Sequence, residues 1–577
     1  MTWVTRPVFI VVIAWLAVAG ACDSPPRGRP TETPPDTGPA WFEEVAANAG
    51  LKFEHVRGPA VRFWFPEIMS GGAALFDYDN DGDLDAYLVQ GGDLDPAAKS
   101  NPTNRLFRNR GDGTFEDVTA AAGVGDDRYG MGCTCADYDA DGDIDLYVTN
   151  VGANVLYRNN GDGSFTDVTD AMAVGDAGWS SSAVFVDYDN DGDLDLFVAN
   201  YVAWSILIET KCYDLAGRQE YCLPAVYRAQ APDRLYRNDG DRFVDVSESA
   251  GLRTAFGYGL GVAVGDFNMD GRTDLYVAND GTPNQLWINA GDGTFEDDAL
   301  MAGCSVNMQG TPEAGMGVTA VDLDHDADLD LFMTHLRGQT NTLYANDGDG
   351  LFEDITPRAG LSLTSFAYTG FGTGFADFDH DGRLDIYIAN GRVTRGDPRW
   401  DESDAYAEPN QLLRGLDGGR FEEIKPAGGT RPPVIGTSRA AAFGDVDNDG
   451  DVDVLVVDSG GPVRLLRNIV DKAGAWIMFR VLDRDGTDAL GATVEITSGR
   501  RRLYRHVHVA YSYCASSDPR IHAGLGNAAR ADRVRVQWLD GQWETFGPLN
   551  AGRLHVLRRG AEQSEDAPQV DLSSEDD

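Results

Sequence analysis

The sequence predicts an all-β protein, a seven-bladed β-propeller followed by a small all-β C-terminal domain. A nine-residue motif, D-x-D-x-D-G-x-x-D, occurs seven times in 577 residues. Each copy follows a Gly-rich apolar strand and precedes a short β-branched or aromatic run, with no helical period between copies. Several short strands per repeat are typical of propeller blades. The motifs start at Asp77, Asp137, Asp187, Asp266, Asp322, Asp377 and Asp445.

Composition narrows the classes of function. The chain carries 93 acidic and 47 basic side chains, a net charge of −46. Nucleic-acid binders neutralise phosphates with clustered Lys and Arg, so no nucleic-acid partner is expected. A hydrophobic content of 42% with 10% aromatic residues is that of a folded protein rather than a disordered acidic chain.

The ends of the chain predict export and solvated tails. Residues 1–22 contain an apolar stretch of signal-peptide length that ends, after small residues, at Cys22. This pattern predicts export to the cell envelope or surface, with a lipid anchor on Cys22; export without lipidation is the alternative. Residues 23–40 hold six prolines and predict an extended linker. Residues 561–577 hold seven acids and no base, which predicts a disordered acidic tail.

A second pattern predicts how the propeller closes. An Asn, a hydrophobic pair, a Gly-Asp-Gly turn and a Phe strand follow several of the motifs and predict a hairpin. The Phe strands also number seven, and the first precedes the first Asp motif. We therefore expect residues 41–468 to form the propeller, with segment 42–51 as the outer strand of the last blade; an open array is the alternative. The Phe strands lie at Phe42, Phe115, Phe165, Phe243, Phe295, Phe352 and Phe421.

The Asp motifs, called loops 1 to 7 in chain order, predict calcium sites. Carboxylates at positions 1, 3, 5 and 9, a Gly at position 6 and a carbonyl at position 7 match the first nine positions of the EF-hand loop, which selects Ca²⁺. Softer metals prefer His or Cys. We expect up to seven Ca²⁺ ions. The predicted ligands are Asp77, Asp79, Asp81, Asp83 and Asp85; Asp137, Asp139, Asp141, Asp143 and Asp145; Asp187, Asp189, Asp191, Asp193 and Asp195; Asp266, Asn268, Asp270 and Asp274; Asp322, Asp324, Asp326 and Asp330; Asp377, Asp379, Asp381 and Asp385; and Asp445, Asp447, Asp449, Asp451 and Asp453.

Two of the loops depart from the motif. Loop 4 has Asn268 at position 3, and loop 5 has Ala327 in place of the Gly. We expect both to bind calcium more weakly, the second because Ala adopts a left-handed backbone less readily than Gly. The alternative for any single loop is an exposed Asp-Gly turn without metal, which seven copies at one register make a poor explanation. A calcium-dependent melting temperature is expected.

At these residues the chain resembles the FG-GAP or VCBS repeat family, whose calcium-loaded blades also form the integrin α-subunit head. Residues 469–560 resemble the ASPIC/UnbV domain, in LGATV at 490–494, DPRIHAGLG at 518–526 and VRVQWLDG at 534–541. The combination is similar to bacterial relatives of cartilage acidic protein. The resemblance implies an exported calcium-binding propeller and supplies no biochemical activity.

Read from its residues alone, segment 469–560 is a small all-β module. It holds 14 basic and 9 acidic residues, a charge of 14 − 9 = +5, so the rest of the chain carries −46 − 5 = −51. The opposed charges predict that the module docks on the propeller; gripping an anionic partner is the alternative. His506 and His508 alternate along one strand, and we expect them to be solvent-exposed.

The cysteines suit an oxidising compartment, since six remain if Cys22 is lipidated. Cys212 and Cys222 lie ten residues apart in the insertion between loops 3 and 4 and are expected to form a disulfide. Cys133 and Cys135 face the same side of one strand and cannot easily bond each other. Their partners, with Cys304 and Cys514 as the remaining thiols, stay open.

The expected function is binding rather than catalysis, because nothing in the sequence pairs a nucleophile with a base. We expect a surface-displayed adhesion, binding or scaffold module for an unidentified extracellular or envelope protein or glycan. Loops on a rigid scaffold carry recognition, so insertion 201–233 is the expected contact surface. One alternative is a polysaccharide lyase or hydrolase with its site in the propeller channel, and another is an assembly factor for an exported partner. The aromatic residues of the insertion are Tyr201, Trp204, Tyr213, Tyr221 and Tyr227.

Overall fold

The computed structural model describes residues 38–59, 61–98, 101–396, 399–561 and 565–566. Cys22, the apolar leader and most of the acidic tail lie outside the described residues.

The predicted all-β fold is confirmed, since seven four-stranded antiparallel blades precede a C-terminal β-domain. From the innermost strand outward, the blades are Ala73–Phe76, Asp85–Leu88, Arg105–Asn109 and Phe115–Asp117; Gly130–Ala136, Asp145–Asn150, Val155–Asn159 and Phe165–Asp167; Ser180–Val186, Asp195–Asn200, Arg234–Asn238 and Phe243–Asp245; Gly259–Gly265, Asp274–Asn279, Gln285–Asn289 and Phe295–Asp297; Val318–Val321, Asp330–Met333, Thr342–Asn346 and Phe352–Asp354; Gly370–Ala376, Asp385–Asn390, Gln411–Leu416 and Arg420–Glu423; and Ser438–Gly444, Asp453–Asp458, Val463–Asn468 and Phe42–Glu44.

Helices are short in the described residues and lie in the connections. Thr119–Ala122, Thr169–Met172, Pro224–Tyr227 and Ala299–Ala302 are single α-turns, and Phe65–Ile68, Leu252–Thr254 and Ala427–Gly429 are 3₁₀ turns. Two small strand pairs lie outside the blades, Cys212–Tyr213 with Gln219–Glu220 and Glu408–Pro409 with Ile435–Gly436.

The ring closes as predicted. Phe42–Glu44 pairs antiparallel with the third strand of blade 7, with Phe42 opposite Asn468. Apolar clusters fill the interfaces between neighbouring blades, and the cluster between blades 7 and 1 joins Leu455 and Val457 to Leu75. Burial of these faces removes the free edges that an open array would expose.

An Asn at the end of the third strand fastens neighbouring blades. In blade 2, the Asn159 amide donates to the carbonyl of Ile144 in its own Asp loop (3.1 Å) and to that of Tyr78 in the preceding loop (2.7 Å). The Asn109 amide makes the same bond to the Val446 carbonyl (2.7 Å) and so links loop 7 to loop 1. Blade 6 has Gly415 at this position. Equivalent bonds to the preceding loop are made by Asn238, Asn289, Asn346 and Asn468.

The C-terminal domain is a two-sheet sandwich. One sheet has the order Ile521–Gly526, Ala475–Leu482, Leu554–Arg558 and Glu565–Asp566; the other has the order Arg501–His506, Thr493–Ser498, Arg533–Gln537 and Trp543–Phe546. A short pair, Arg530–Ala531 with Leu549–Asn550, joins their edges. The inward side chains form one core, which includes Phe479, Val494 and Val534.

A segment of the C-terminal domain, residues 510–518, plugs the propeller channel. Ala515–Ser516 pairs in parallel with the innermost strand of blade 1, and Ser512 bridges to Val318 of blade 5. The Tyr513 hydroxyl donates to the Met69 carbonyl (2.7 Å). A Cβ on Gly132 would lie 2.9 Å from the Cβ of Cys514, so the plug needs glycine there. The domain therefore docks on the propeller, as the opposed charges predict.

The opposite mouth of the channel is closed by aromatic side chains. Phe65 stacks on Tyr227 with ring centroids 5.4 Å apart and contacts Trp179 and Tyr201. Tyr201 and Tyr221 are fully buried in this cluster. The expectation that the aromatic residues of insertion 201–233 form a contact surface is therefore wrong for these two residues, because they serve as core.

Candidate metal sites and the domain seam

All seven Asp loops share one backbone shape. The residue at position 4 has a positive φ in every loop, and so has the residue at position 6, which is Gly in six loops with φ between 84° and 98°. Glycine enters this region without the penalty that a Cβ imposes. In loop 5, Ala327 takes the same conformation at φ 86°, which costs about 1–2 kcal/mol for a residue with a Cβ.

Backbone N–H groups orient the first and last carboxylates. In loop 1, Asp77 accepts from the N–H groups of Asp81 (3.1 Å) and Gly82 (3.0 Å). Asp85 accepts from the N–H of Tyr78 (3.0 Å) and from that of Asn109 on the neighbouring strand (2.7 Å). The same pattern recurs in loop 2, where Asp137 and Asp145 take these places.

Loops 1, 2, 3, 5 and 6 each bring three carboxylates to within ligand distance of one another. Positions 1, 3 and 9 converge in loops 1, 2, 3 and 6, whereas positions 1, 3 and 5 converge in loop 5, with ligand atoms within 4.8 Å in each case. The position-5 carboxylate of loop 1, Asp81, instead accepts from the N–H of Asp83 (3.0 Å). Asp83 accepts from the Asn448 amide of loop 7 (2.7 Å), which links two loops.

These donor sets fit a hard divalent cation. All converging ligands are carboxylate oxygens, the type that Ca²⁺ prefers. Four carboxylate oxygens of the predicted ligands are buried without a hydrogen-bond partner among the described residues, which is costly unless a cation binds them. They are Oδ1 of Asp79, Asp187, Asp377 and Asp447. The groups are therefore capable of holding metal ions.

Burial strongly raises the pKa values of the last carboxylates of the loops. It raises the pKa of Asp85 and Asp145 to about 9 and that of Asp195 to about 8, with neighbouring loop carboxylates adding to the effect. In loops 6 and 7, burial raises the pKa of Asp385 and Asp453 well above the ordinary value. Ionisation at neutral pH is thus unfavourable unless a positive charge is present.

The C-terminal domain covers loops 6 and 7, whereas the tips of loops 1 to 3 are exposed. Gly524 packs against the Asp377 carboxylate, and Trp476 packs against Gly450. Arg520 donates to the Asp445 carbonyl (2.8 Å) and to Asn448 Oδ1 (2.8 Å). Sequence reasoning missed these contacts, because only the charge of the domain signalled that it docks.

Protein cations also reach the covered loops. Arg414 pairs with Asp379 (2.5 Å) and Asp381 (3.2 Å) in loop 6, and Lys472 pairs with Asp451 of loop 7 (2.7 Å). The guanidinium of Arg505 acts electrostatically on Asp322 and Asp377, the first carboxylates of loops 5 and 6. Loops 5 and 6 belong to neighbouring blades, and Gly415 of blade 6 stands where the other blades have the Asn that bonds to the preceding loop.

Two further sequence expectations, one about histidines and one about cysteines, have different outcomes. His506 and His508 lie in the seam between domain and propeller, and burial lowers the pKa of His506 to about 3 and that of His508 to about 4. The expectation that they are solvent-exposed is wrong, because docking covers their strand.

Cys212 and Cys222 form a disulfide. The other described cysteines, Cys133, Cys135, Cys304 and Cys514, are buried free thiols.

Family comparison agrees with the loops and the sandwich. The FG-GAP-like repeat model matches residues 77–148, 137–198, 221–277, 266–333 and 328–388. The chain belongs to the FG-GAP-like repeat family. The ASPIC and UnbV model matches residues 483–564, which cover most of the C-terminal sandwich. Both resemblances read from the sequence are thus confirmed.

Curated relatives are cartilage acidic proteins. The chain is 27% identical to human (Homo sapiens) cartilage acidic protein 1 over 351 residues, covering 57% of this chain and 50% of the relative. It is 26% identical to the mouse (Mus musculus) protein over 375 residues, covering 62% and 55%. The chain spans about half the length of the curated relatives it matches.

Solved structures overlap this FG-GAP protein only partly. An Agrocybe aegerita lectin that recognises non-reducing terminal N-acetylglucosamine is 16% identical, with a TM-score of 0.36 over 65% of this chain and 85% of the lectin. Bacillus licheniformis rhamnogalacturonan lyase PL11 is 14% identical, with a TM-score of 0.37 over 70% and 72%. Scores this low do not bear on function.

Proposed function

We propose that this protein is an exported calcium-binding propeller that acts as a binding or scaffold module for an extracellular or envelope protein or glycan. The repetition of converging carboxylates in a closed ring carries the proposal. A ring so rich in buried acid is stabilised when divalent cations occupy its loops. The proposed ions are Ca²⁺, up to one for each of the seven loops.

Export is supported by the family and by the leader. The FG-GAP repeats and the cartilage acidic protein relatives suggest a secreted or extracellular protein. A lipid anchor on Cys22 is part of the proposal and rests on the sequence alone. No described helix is long and apolar enough to cross a membrane. The names of the family and of the relatives give no enzymatic function.

The contact surface is proposed on insertion 201–233, at the end of the propeller opposite the Asp loops. Antiparallel strands alternate direction, so the connection between the second and third strands of blade 3 leaves at the face opposite loop 3. Leu207 and Leu215 are almost fully exposed there. Solvent-exposed apolar side chains grouped on one loop mark a protein interaction site. Further exposed apolar residues of the insertion are Ile206, Ile208, Tyr213, Leu223 and Val226.

A pull-down from envelope extract tests this proposal. The wild-type chain should retain a partner that the Leu207→Ser, Leu215→Ser double variant loses. The matched control is Leu363→Ser, an exposed leucine outside the insertion, which should behave as wild type. Equal retention by the double variant contradicts the surface assignment. Repeating the experiment with chelator separates a partner that needs calcium from one that does not.

A further inference from the structure

A cleft of about 550 Å³ lies between the C-terminal domain and the Asp loops of blades 3 and 4. The propeller side contributes Asp187, Asp270 and Arg272, and the domain side contributes one face of the sheet that begins with Arg501–His506. Ligand pockets typically measure about 300–1,000 Å³ and favour domain interfaces. The cleft therefore has the size and place of a small-molecule site.

The domain side of the cleft presents an ordered row of side chains. Strand register places His506 beside Thr493, Thr493 beside Gln537, and Gln537 beside Trp543. Neighbouring strands lie about 4.8 Å apart, so this row extends over roughly 14 Å. Trp543 is 41% exposed, and the guanidinium of Arg535 lies 4.3 Å from its ring centre. The row offers hydrogen-bonding groups along its length and an aromatic face at one end.

Several polar atoms here lack a partner among the described residues. They include His506 Nε2 and Arg535 Nε in the cleft. An adjoining cavity of about 100 Å³ shares Tyr504, His506 and His508 with the cleft and is also lined by Arg505. Arg505 is 8% exposed, and its Nε and Nη2 make no hydrogen bond to any described residue. A buried donor left without a partner destabilises the protein, so these atoms favour a ligand rich in hydrogen-bond acceptors.

The charges on the domain side favour an anion. Glu495 is paired with Arg533 (3.0 Å) and Arg535 (2.5 Å), and Arg502 and Arg505 add two further positive charges near it. Opposite them, Asp270 is paired with Arg272, while Asp187 and Asp266 belong to loops 3 and 4. On the domain side of the cleft, Arg502 and Arg535 outnumber Glu495, and this local excess of positive charge favours an acidic ligand.

We propose that the cleft and its adjoining cavity bind an acidic saccharide, a short chain of hexuronic acid units. The sugar hydroxyls bond to His506, Thr493 and Gln537, and one pyranose ring lies on Trp543. Carboxylates accept from the unsatisfied nitrogens of Arg505 and Arg535, because guanidinium groups recognise carboxylates with planar, charged hydrogen bonds. The inference rests on the binding role proposed above and gives it a second site, distinct from insertion 201–233, with one class of ligand.

Calorimetric titration of the calcium-loaded full chain tests the inference. The probes are trigalacturonic acid and the neutral galactose trisaccharide of the same linkage. The acidic trisaccharide should bind at least tenfold more tightly than the neutral one. Arg505→Gln and Trp543→Ala should each weaken its binding at least tenfold. The control Arg500→Gln, at the exposed tip of the same hairpin, should leave binding unchanged.

The outcomes separate this inference from the proposed function. Absence of trigalacturonate binding, equal binding of both sugars, or wild-type affinity in Trp543→Ala overturns the saccharide site. Trp543 is half exposed, so that variant remains informative if Arg505→Gln fails to fold. A chelator-insensitive melt or an unchanged pull-down would contradict the calcium or partner proposals instead, and neither result depends on the sugar.

Discussion

Loops 1 to 3 and loops 6 and 7 share one motif and one backbone shape but lie in different environments. Asp189 of loop 3 is exposed, whereas Asp379, at the same position in loop 6, is buried beneath the C-terminal domain. Arg414 and Lys472 reach the covered loops. The motif thus sets the geometry of a candidate site, and domain docking sets its solvent access and counter-charge.

Of the changes predicted here, removal of Ca²⁺ by a chelator should have the largest effect on stability. Removing Ca²⁺ at pH 8 is expected to lower the melting temperature by about 10 °C, because ligands that bind only the folded state stabilise it by mass action. Calorimetry measures this shift. In stopped flow with a chromophoric chelator, the exposed loops should release metal quickly and the covered loops slowly. A single release phase would show that docking does not restrict exchange.

Breaking one blade fastening should have the next largest effect. Asn159→Ala removes two buried hydrogen bonds that hold loops 1 and 2 together. It should lower the free energy of unfolding by about 2–3 kcal/mol. Asn160→Ala, at the exposed neighbouring position, is the matched control and should change stability by less than about 0.5 kcal/mol. Denaturant titration compares the two, and equal losses would refute the role of the fastening.

Glu67 is a buried acid far from the Asp loops, so it tests how burial alone makes stability depend on pH, without a contribution from metal binding. Burial raises the pKa of Glu67 to about 8 from 4.5. The folded state therefore holds a proton that the unfolded state releases, so stability falls as pH rises from about 4.5 to 8. Glu67→Gln should remove this loss and be more stable than wild type at pH 9.5 by on the order of 2 kcal/mol. Equal denaturation midpoints at pH 6 and pH 9.5 in both proteins would contradict this.

Loop 5 allows the smallest and most local test. Ala327→Gly should relieve the left-handed strain at φ 86° and stabilise the protein by about 1 kcal/mol. Calcium affinity at this loop should rise with it. Ala121→Gly, in the short helix Thr119–Ala122, should instead destabilise, since no strain is relieved there. Thermal melts in the presence of calcium should show a higher melting temperature for Ala327→Gly and a lower one for Ala121→Gly.

Local patterns made most of the fold predictable. The repeated Asp motif and the seven Phe strands predicted the blades and the closing strand at Phe42, because turn chemistry and strand alternation act over a few residues. The partial burial of His506 and His508 and the full burial of Tyr201 were not predictable, since each depends on segments hundreds of residues away. The alternation of two histidines is the same whether a strand faces water or another domain.

The sequence by itself determined the loop geometry, the blade count and the acid content that favours divalent cations, because each is encoded within a single repeat. Only the tertiary structure decided that residues 510–518 fill the channel, that loops 6 and 7 are covered, and that Nε and Nη2 of Arg505 have no hydrogen-bond partner among the described residues. Those features arise where two folded surfaces meet, and their complementarity leaves no periodic signal along the chain.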